Sequence, residues 1–252
     1  MLKVRVIPVL LWSEFGLVKG QRFLKNRRIG SVLPTLQIFN SRDVDELVLV
    51  DVMATEFSME PRFEQILEFS QFCRVPFTVG GGIRSLDQIE KMLKAGADKV
   101  LINSAAYNNV GLIYEASQIF GSQCIVSSID YRYIDEVPTC MSHSGTKSQG
   151  VDPLTWAKEV TEAGAGEVLI TSIDRDGMRC GYDLEMLRHF TNVLDVPVIA
   201  CGGAGSYNDM AQTVIDGGAS AVAAASIFQF TELTPTGAKL FLQQNGIPMR
   251  TS

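Results

Sequence analysis

Histidine is almost missing from this chain: His143 and His189 are the only two in 252 residues. A zinc centre or a nucleophile–histidine–acid triad needs better resources, so no metal and no cofactor is expected. Cysteine is sparse as well. Cys73, Cys124, Cys140, Cys180 and Cys201 are odd in number and hold no CxxC pair. They are expected as free thiols in a reducing cytoplasm. Basic residues are outnumbered, and the net charge of −6 speaks against a nucleic-acid partner and leaves no basic face for a membrane. No apolar run approaches the roughly 18 residues of a membrane span. The opening MLKVRVIPVLL is too short and too charged for a signal peptide and reads as a first strand.

Glycine is placed with a pattern. FTVGGGIRS (Phe77 to Ser85) is a short apolar strand that runs into three glycines and then a helix. Such backbone can turn its N–H groups directly onto a phosphate. The construction returns in VIACGGAGS (Val198 to Ser206), where Gly202 stands 121 positions after Gly81. GADKVLINSAA from Gly96 and GASAVAAASIF from Gly218 are 122 apart, and DELVLVD from Asp45 and GEVLITS from Gly166 are 121 apart. Three pairs at nearly one spacing indicate two similar halves. Each half carries its own phosphate loop, which suits a ligand with a phosphate at each end.

The strand and helix signals alternate throughout. Strands are expected at Val4–Leu11, Glu46–Val52, Phe77–Val79, Lys99–Ile102, Cys124–Asp130, Glu167–Ser172, Val198–Ala200 and Ala221–Ala225. Helices are expected at Leu33–Asn40, Pro61–Phe72, Leu86–Ala95, Val110–Phe120, Pro153–Ala163, Leu184–Asn192, Tyr207–Asp216 and Pro235–Gln244. A long loop from Trp12 carries Gly16, Lys19 and Gly20; a polar connection, read as a small hairpin, covers Tyr131–Gly150; a small turn follows at Ser226 and Ile227. Eight such units point to an α/β fold, a single (β/α)8 TIM barrel over residues 1–252 built from two half-barrels. An open doubly wound sheet is the alternative, but it does not naturally give eight equal units with a two-fold repeat.

In a barrel the loops after the strands share one mouth. Gly81 and Gly82 lie there with Asn103 and Ser104 one unit later; Gly202 and Gly203 lie there with Ala225 and Ser226 one unit later. The plain alternative is that the glycines only make tight turns. Two symmetric copies, each with a polar turn one unit on, favour phosphate. Asp130 ends its strand at the same mouth, as a general acid–base or equally as a helix cap or ion-pair partner. Asp174 to Gly177, DRDG, with Asp176, is either a loop that orders over a ligand or an ordinary turn. At the opposite end Arg5, Glu46, Lys99 and Glu167 open four strands. Singly they would be solvated edges. Pointing inward together they would have to pair, and would close the barrel floor as a structural ring or as a gate for something small.

These residues carry a resemblance. FTVGGGIRS, GADKVLINSAA, the SSID ending at Asp130, GAGEVLITSIDRDG, GYDLEM, GGAGS and AASIFQF together resemble the HisF family, the cyclase subunits of imidazole glycerol phosphate synthase, over nearly the whole chain. The resemblance implies a half-barrel duplication. It implies a glutaminase partner of the HisH type docked under the barrel, from which ammonia crosses to a bisphosphorylated ribulosyl substrate. It implies imidazole glycerol phosphate and an aminoimidazole carboxamide ribotide as products, in histidine biosynthesis. It places Arg5, Glu46, Lys99 and Glu167 at the gate, Gly82, Asn103, Gly203 and Ser226 at phosphate contacts, Lys19 in the mobile first loop, and Asp130 as one of two catalytic aspartates.

The other aspartate is absent. The family's CLDV is VLLW here, with Leu11 at the acid's position, 119 residues before Asp130; Cys201 and Gln229 replace a family serine and histidine. Glu14 follows in the loop and could substitute only if the loop folds inward. Three functions stay open on the sequence. The first is the family's cyclase. The second is a cyclisation-deficient paralogue that passes ammonia to a separate sugar amidotransferase of surface-glycan biosynthesis. The third is a non-enzymatic phosphate-binding scaffold that activates a glutaminase.

Overall fold

Every barrel strand here has both faces covered, so its alternate residues divide between two cores. The computed structural model describes residues 3–250, without the side chains of residues 25 and 26. In chain order the strands are β1 (Arg5–Ser13), β2 (Gly16–Gln21), β3 (Leu24–Gly30), β4 (Leu47–Asp51), β5 (Phe77–Gly80), β6 (Lys99–Ile102), β7 (Ile125–Ile134), β8 (Val137–Ser142), β9 (Lys147–Ser148), β10 (Glu167–Ser172), β11 (Val198–Cys201) and β12 (Ala221–Ala224). The helices are α1 (Val32–Asn40), α2 (Phe63–Ser70), α3 (Leu86–Lys94), α4 (Ser104–Asn108), α5 (Gly111–Phe120), α6 (Pro153–Glu162), α7 (Leu184–Val193), α8 (Tyr207–Ile215), α9 (Ser226–Phe230) and α10 (Pro235–Gln244). Among the described residues no helix is long and apolar enough to cross a membrane.

Eight strands run in parallel in the order β10-β11-β12-β1-β4-β5-β6-β7, and β10 pairs β7 to close the ring. This is the (β/α)8 barrel. Along β1, Ile7, Val9 and Leu11 enter the inner core while Val6, Leu10 and Trp12 enter the layer under the helices. The inner core continues through Val48, Leu101, Val126, Leu169 and Ile199, and β12 adds only Ala221 and Ala223. The period of two that separates the cores also fixes which polar residues face the barrel axis.

The internal repeat is a repeat of packing. Gly81 has φ +105°, and a Cβ there would strike the carbonyl oxygen of Asp51. Gly202 has φ +86°, and its Cβ would meet the carbonyl oxygen of Ser172, 121 positions after Asp51, at 2.5 Å. Only glycine accepts both that conformation and that approach. The helices that follow are capped alike. Ser85 Oγ accepts the N–H of Gln88 at 3.3 Å, and Ser206 Oγ accepts that of Asp209 at 3.1 Å. The same two side chains reach back: Gln88 Oε1 accepts the N–H of Arg84 at 2.8 Å, and Asp209 Oδ2 accepts that of Gly205 at 2.9 Å. Each glycine turn is thereby latched to its helix.

The expected long loop after Trp12 is a correction. The first strand continues to Ser13, and β2 and β3 form an antiparallel hairpin on it, with Leu11 opposite Val18 and Trp12 opposite Leu17. Its two-residue turn is Arg22–Phe23, both left-handed at φ 51° and 61°. Neither is the Gly or Asn that normally betrays such a turn, so the hairpin left no local signal. The hairpin expected between Tyr131 and Gly150 is present as β7, β8 and β9. The turns after Asn103 and Ala225 are short helices, and the helix expected over Pro61–Phe72 is confined to Phe63–Ser70.

Beside the floor, a buried lysine joins the last helix to two strands. Lys239 Nζ on α10 donates to Asp43 Oδ2 at 2.9 Å and to Asp45 Oδ1 at 3.0 Å, while Asp45 Oδ2 accepts the N–H of Val6 at 2.9 Å. The side chain of Asp45 is 1% exposed. Lys239→Ala would strand that carboxylate and is expected to lower unfolding stability by about 3–5 kcal/mol. Urea denaturation measures it; an unchanged midpoint would show that Asp45 keeps its charge compensated without the lysine.

Candidate functional site

Four charges meet across the barrel floor. Arg5, Glu46, Lys99 and Glu167 lie on the inward rows of β1, β4, β6 and β10 or one residue before them. Arg5 Nη1 reaches Glu46 Oε2 at 2.6 Å and Glu167 Oε2 at 3.1 Å; Lys99 Nζ reaches the same atoms at 3.0 Å and 3.2 Å. Each cation touches both anions, so the ring is neutral and closed. Thr78 Oγ1 donates to the remaining oxygen of Glu46 at 2.7 Å. Burial works against the charge of Arg5, but the carboxylates of Glu167 and Glu46 prevail and hold its pKa above the ordinary value. Above the ring, the apolar inner core fills the barrel.

The mouth is a cavity of about 280 Å³. Its inner wall is the last inward residue of successive strands: Leu11, Val50, Asp130, Thr171, Cys201 and Ala225. Its rim holds Gly81, Gly82, Arg84, Asn103 and Ser104 on one side and Lys19 and Asp176 on the other. Asp130 accepts from Asn103 Nδ2 at 2.7 Å. Burial pushes its carboxyl up to about 7, helped by the nearby Asp176 and opposed by hydrogen bonds from Thr171, Ser128 and Asn103. The Cys201 thiol is pushed up to about 12, mainly by burial, so it stands in the mouth as a neutral group.

Lys19 projects from β2 into the mouth, where it is buried and grips Asp176 at 2.9 Å and 3.1 Å. The hairpin lies on the loop after β10: Arg22 N–H donates to the carbonyl of Asp176 at 2.9 Å, and Gly177 packs against the carbonyl of Gly20. Beyond this contact is a second cavity of about 590 Å³, bounded by Lys19, Gly177 and Ser226 and by Arg22, Arg27 and Arg179. Lys19 lines both cavities, so the Lys19–Asp176 pair is the wall between them. Gly202 and Gly203 are buried and line neither; Gly203 accepts the N–H of Gly181 at 2.9 Å.

Leu11 occupies the inward row of β1 and lines the cavity with Asp130. Asp51 also borders this cavity, but its carboxylate is already engaged. Asp51 pairs in register with the outward Trp12; its Oδ1 accepts the N–H groups of Met53 and Ala54, and its Oδ2 lies 3.4 Å from Arg62 Nε. Glu14 is exposed and borders a groove outside the mouth, with Trp12, Phe15 and Arg28.

Sequence reasoning missed Arg22, Arg27, Arg179, Arg84, His143 and Ser144. Arg84 stands two residues after the last glycine, a signal that was available. The other five depend on hairpins and loops that fold in from elsewhere.

The raised carboxyl has a consequence for stability. Between the ordinary carboxylate range and about pH 7, folded Asp130 holds a proton that the unfolded chain has released. Stability that is present in acid is therefore lost as pH rises through the folded value. Asp130→Asn, neutral throughout, is expected to gain on the parent as pH rises from about 4 to about 7. Denaturant titrations of both proteins at several pH values measure this; parallel curves would show that solvent keeps the carboxylate charged.

Comparison with known proteins agrees with this architecture. The family model described as histidine biosynthesis protein matches residues 5–234. The imidazole glycerol phosphate synthase subunit HisF of Hyphomonas neptunium is 39% identical over 251 residues, covering 100% of both chains. With that match running from the floor ring through both glycine loops, the chain belongs to the HisF family of histidine biosynthesis proteins.

Proposed function

We propose that this chain is the cyclase subunit of an imidazole glycerol phosphate synthase. A HisH-type glutaminase at the floor supplies ammonia, and a bisphosphorylated ribulosyl substrate binds at the mouth. The observation that carries this reading is a pair of cavities on one barrel face, separated by Lys19–Asp176, with Asp130 facing the first. One phosphate is taken by Gly81, Gly82, Asn103 and Ser104. The other is taken by Gly177, Ser226 and the three arginines, with Gly202, Gly203 and Ala225 shaping the loops beneath. Asp130, with a pKa of about 7, can both give and accept a proton at neutral pH. The floor ring is the ammonia gate. Neutral ammonia passes an apolar interior far more readily than ammonium does. The five free thiols suit a cytoplasmic setting.

Leu11 favours a second reading. The second acid's place holds an apolar side chain, Asp51 is tied to Arg62 and two backbone N–H groups, Asp176 is paired with Lys19, and Glu14 lies outside the mouth. Among the described residues Asp130 is then the cavity carboxylate without a cationic partner. A chain of that kind binds the bisphosphate and conducts ammonia but cyclises poorly. Its nitrogen then goes to a separate sugar amidotransferase.

Turnover of the ribulosyl bisphosphate with ammonium salt, without a glutaminase, separates the two. Product at an ordinary enzymatic rate establishes the cyclase. Binding without turnover favours the paralogue, and loss of binding removes both. If Leu11 is the lesion, Leu11→Asp should raise cyclisation by about 10²–10⁴; no change would count against that account. In the complex with a HisH-type glutaminase, Lys99→Ala or Glu167→Ala is expected to raise the glutamine consumed per product formed. Unchanged coupling would remove the gate.

A further inference from the structure

The turn between β8 and β9 does not belong to either glycine loop, yet it reaches the first one. His143 N–H donates to Ser104 Oγ at 3.0 Å, and Ser144 Oγ donates to the carbonyl of Val52 at 2.9 Å. These bonds carry the turn across the mouth to the loops after β6 and β4. Its other side touches the first hairpin, because Gly145 packs against Phe23. His143 and Ser144 are both left-handed, at φ 51° and 55°, a conformation that costs each non-glycine residue of order 1 kcal/mol or more. Outside contacts therefore hold the turn where it is.

The half-buried His143 lines the first cavity with Gly82, Asn103 and Ser104. Ser142 Oγ accepts from Gln149 Nε2 and lies 2.8 Å from His143 Nδ1, to which its hydroxyl hydrogen can be given. A neutral ring that accepts at Nδ1 carries its hydrogen on Nε2. That Nε2 has no hydrogen-bond partner among the described residues. The backbone N–H of His143 meanwhile occupies a lone pair of Ser104 Oγ, which leaves the Ser104 hydroxyl hydrogen free for a ligand.

The cations of this cavity are already engaged. Lys19 is paired with Asp176, and Arg84 donates to the carbonyls of Ser58 and Met59 and to Glu60. The second cavity, by contrast, holds Arg22, Arg27 and Arg179. An anion at the first glycine loop therefore depends on hydrogen-bond donors rather than on free charge. We infer that His143 is a phosphate ligand of the first glycine loop, donating from Nε2 beside the Ser104 hydroxyl. The inference rests on the phosphate reading of Gly81 and Gly82. It adds to that reading a donor from the opposite half of the barrel, which closes over the bound group.

The chain suits a direct test, because its second histidine, His189, is exposed on α7 and serves as an internal control. In ¹⁵N-labelled protein, inorganic phosphate is titrated while the Gly82 and Ser226 amides and both imidazoles are followed. The expected result is that Gly82 and His143 Nε2 shift together with one dissociation constant while His189 stays still. Movement of Gly82 without His143 overturns the histidine ligand and leaves the phosphate loop standing. If neither moves at any phosphate concentration, both fail. His143→Leu should weaken binding at Gly82 about ten-fold, while His143→Gln, which keeps a donor near the Nε2 position, should stay within about two-fold of the parent. Equal losses in the two variants would mean that the ring only supports the turn.

Discussion

A closed parallel barrel gives each strand two buried faces, and that constraint decides most of what this molecule can do. One residue in two must face an axis too narrow for water, so every inward position is apolar, paired or at an end. The floor shows the paired solution in Arg5, Glu46, Lys99 and Glu167. The middle shows the apolar one in Ile7, Val48 and Leu169. The mouth is where a polar inward residue can meet both solvent and ligand, and Asp130 is there with Thr171 beside it in register. The same alternation sends Asp51 outward. Asp51 still borders the cavity, but its carboxylate is tied to Arg62 and to the N–H groups of Met53 and Ala54.

The half-barrel repeat clarifies what has been kept. The glycine turns recur with the same carbonyl contact beneath Gly81 and Gly202 and the same latch from Gln88 and Asp209. Glu46 and Glu167 stand 121 positions apart on the floor. The first strands of the two halves differ where chemistry is concerned: Asp130 in one, Leu11 in the other. Their hairpins differ too. The first brings Lys19 to Asp176 and Arg22 and Arg27 to the second cavity, and the second brings His143 to the first. Each half thus covers the loop of its counterpart, and the two covers meet at Phe23 and Gly145.

Legibility in the sequence follows the range of the interaction. Glycine loops, strand periodicity and the replacement of an acid by Leu11 are local, and they could be read before any coordinates. The floor charges could be located, but their pairing needed strands 41 to 162 residues apart to meet. The first hairpin was not legible, because its turn uses Arg22 and Phe23 in a conformation favoured by glycine and asparagine. With it went Arg22 and Arg27. His143 was read only as one of two histidines, too few for a metal site; its place beside Ser104 comes from a turn 39 residues further on.

The floor ring bears on the choice of function. Burying two cations and two anions brings a desolvation cost that their mutual attraction only roughly offsets, and well-packed apolar residues would serve stability equally well or better. Thr78 adds a further bond to Glu46, which satisfies the ring without making it more stable than an apolar plug. A purely structural barrel floor therefore gains little from this arrangement. A floor that must open to a small neutral molecule gains a polar closure whose bonds can be exchanged one at a time. The ring is intact in a chain that carries Leu11 in its mouth. On the proposed reading that combination separates ammonia delivery from cyclisation, and the choice between the two functions turns on one inward position of β1.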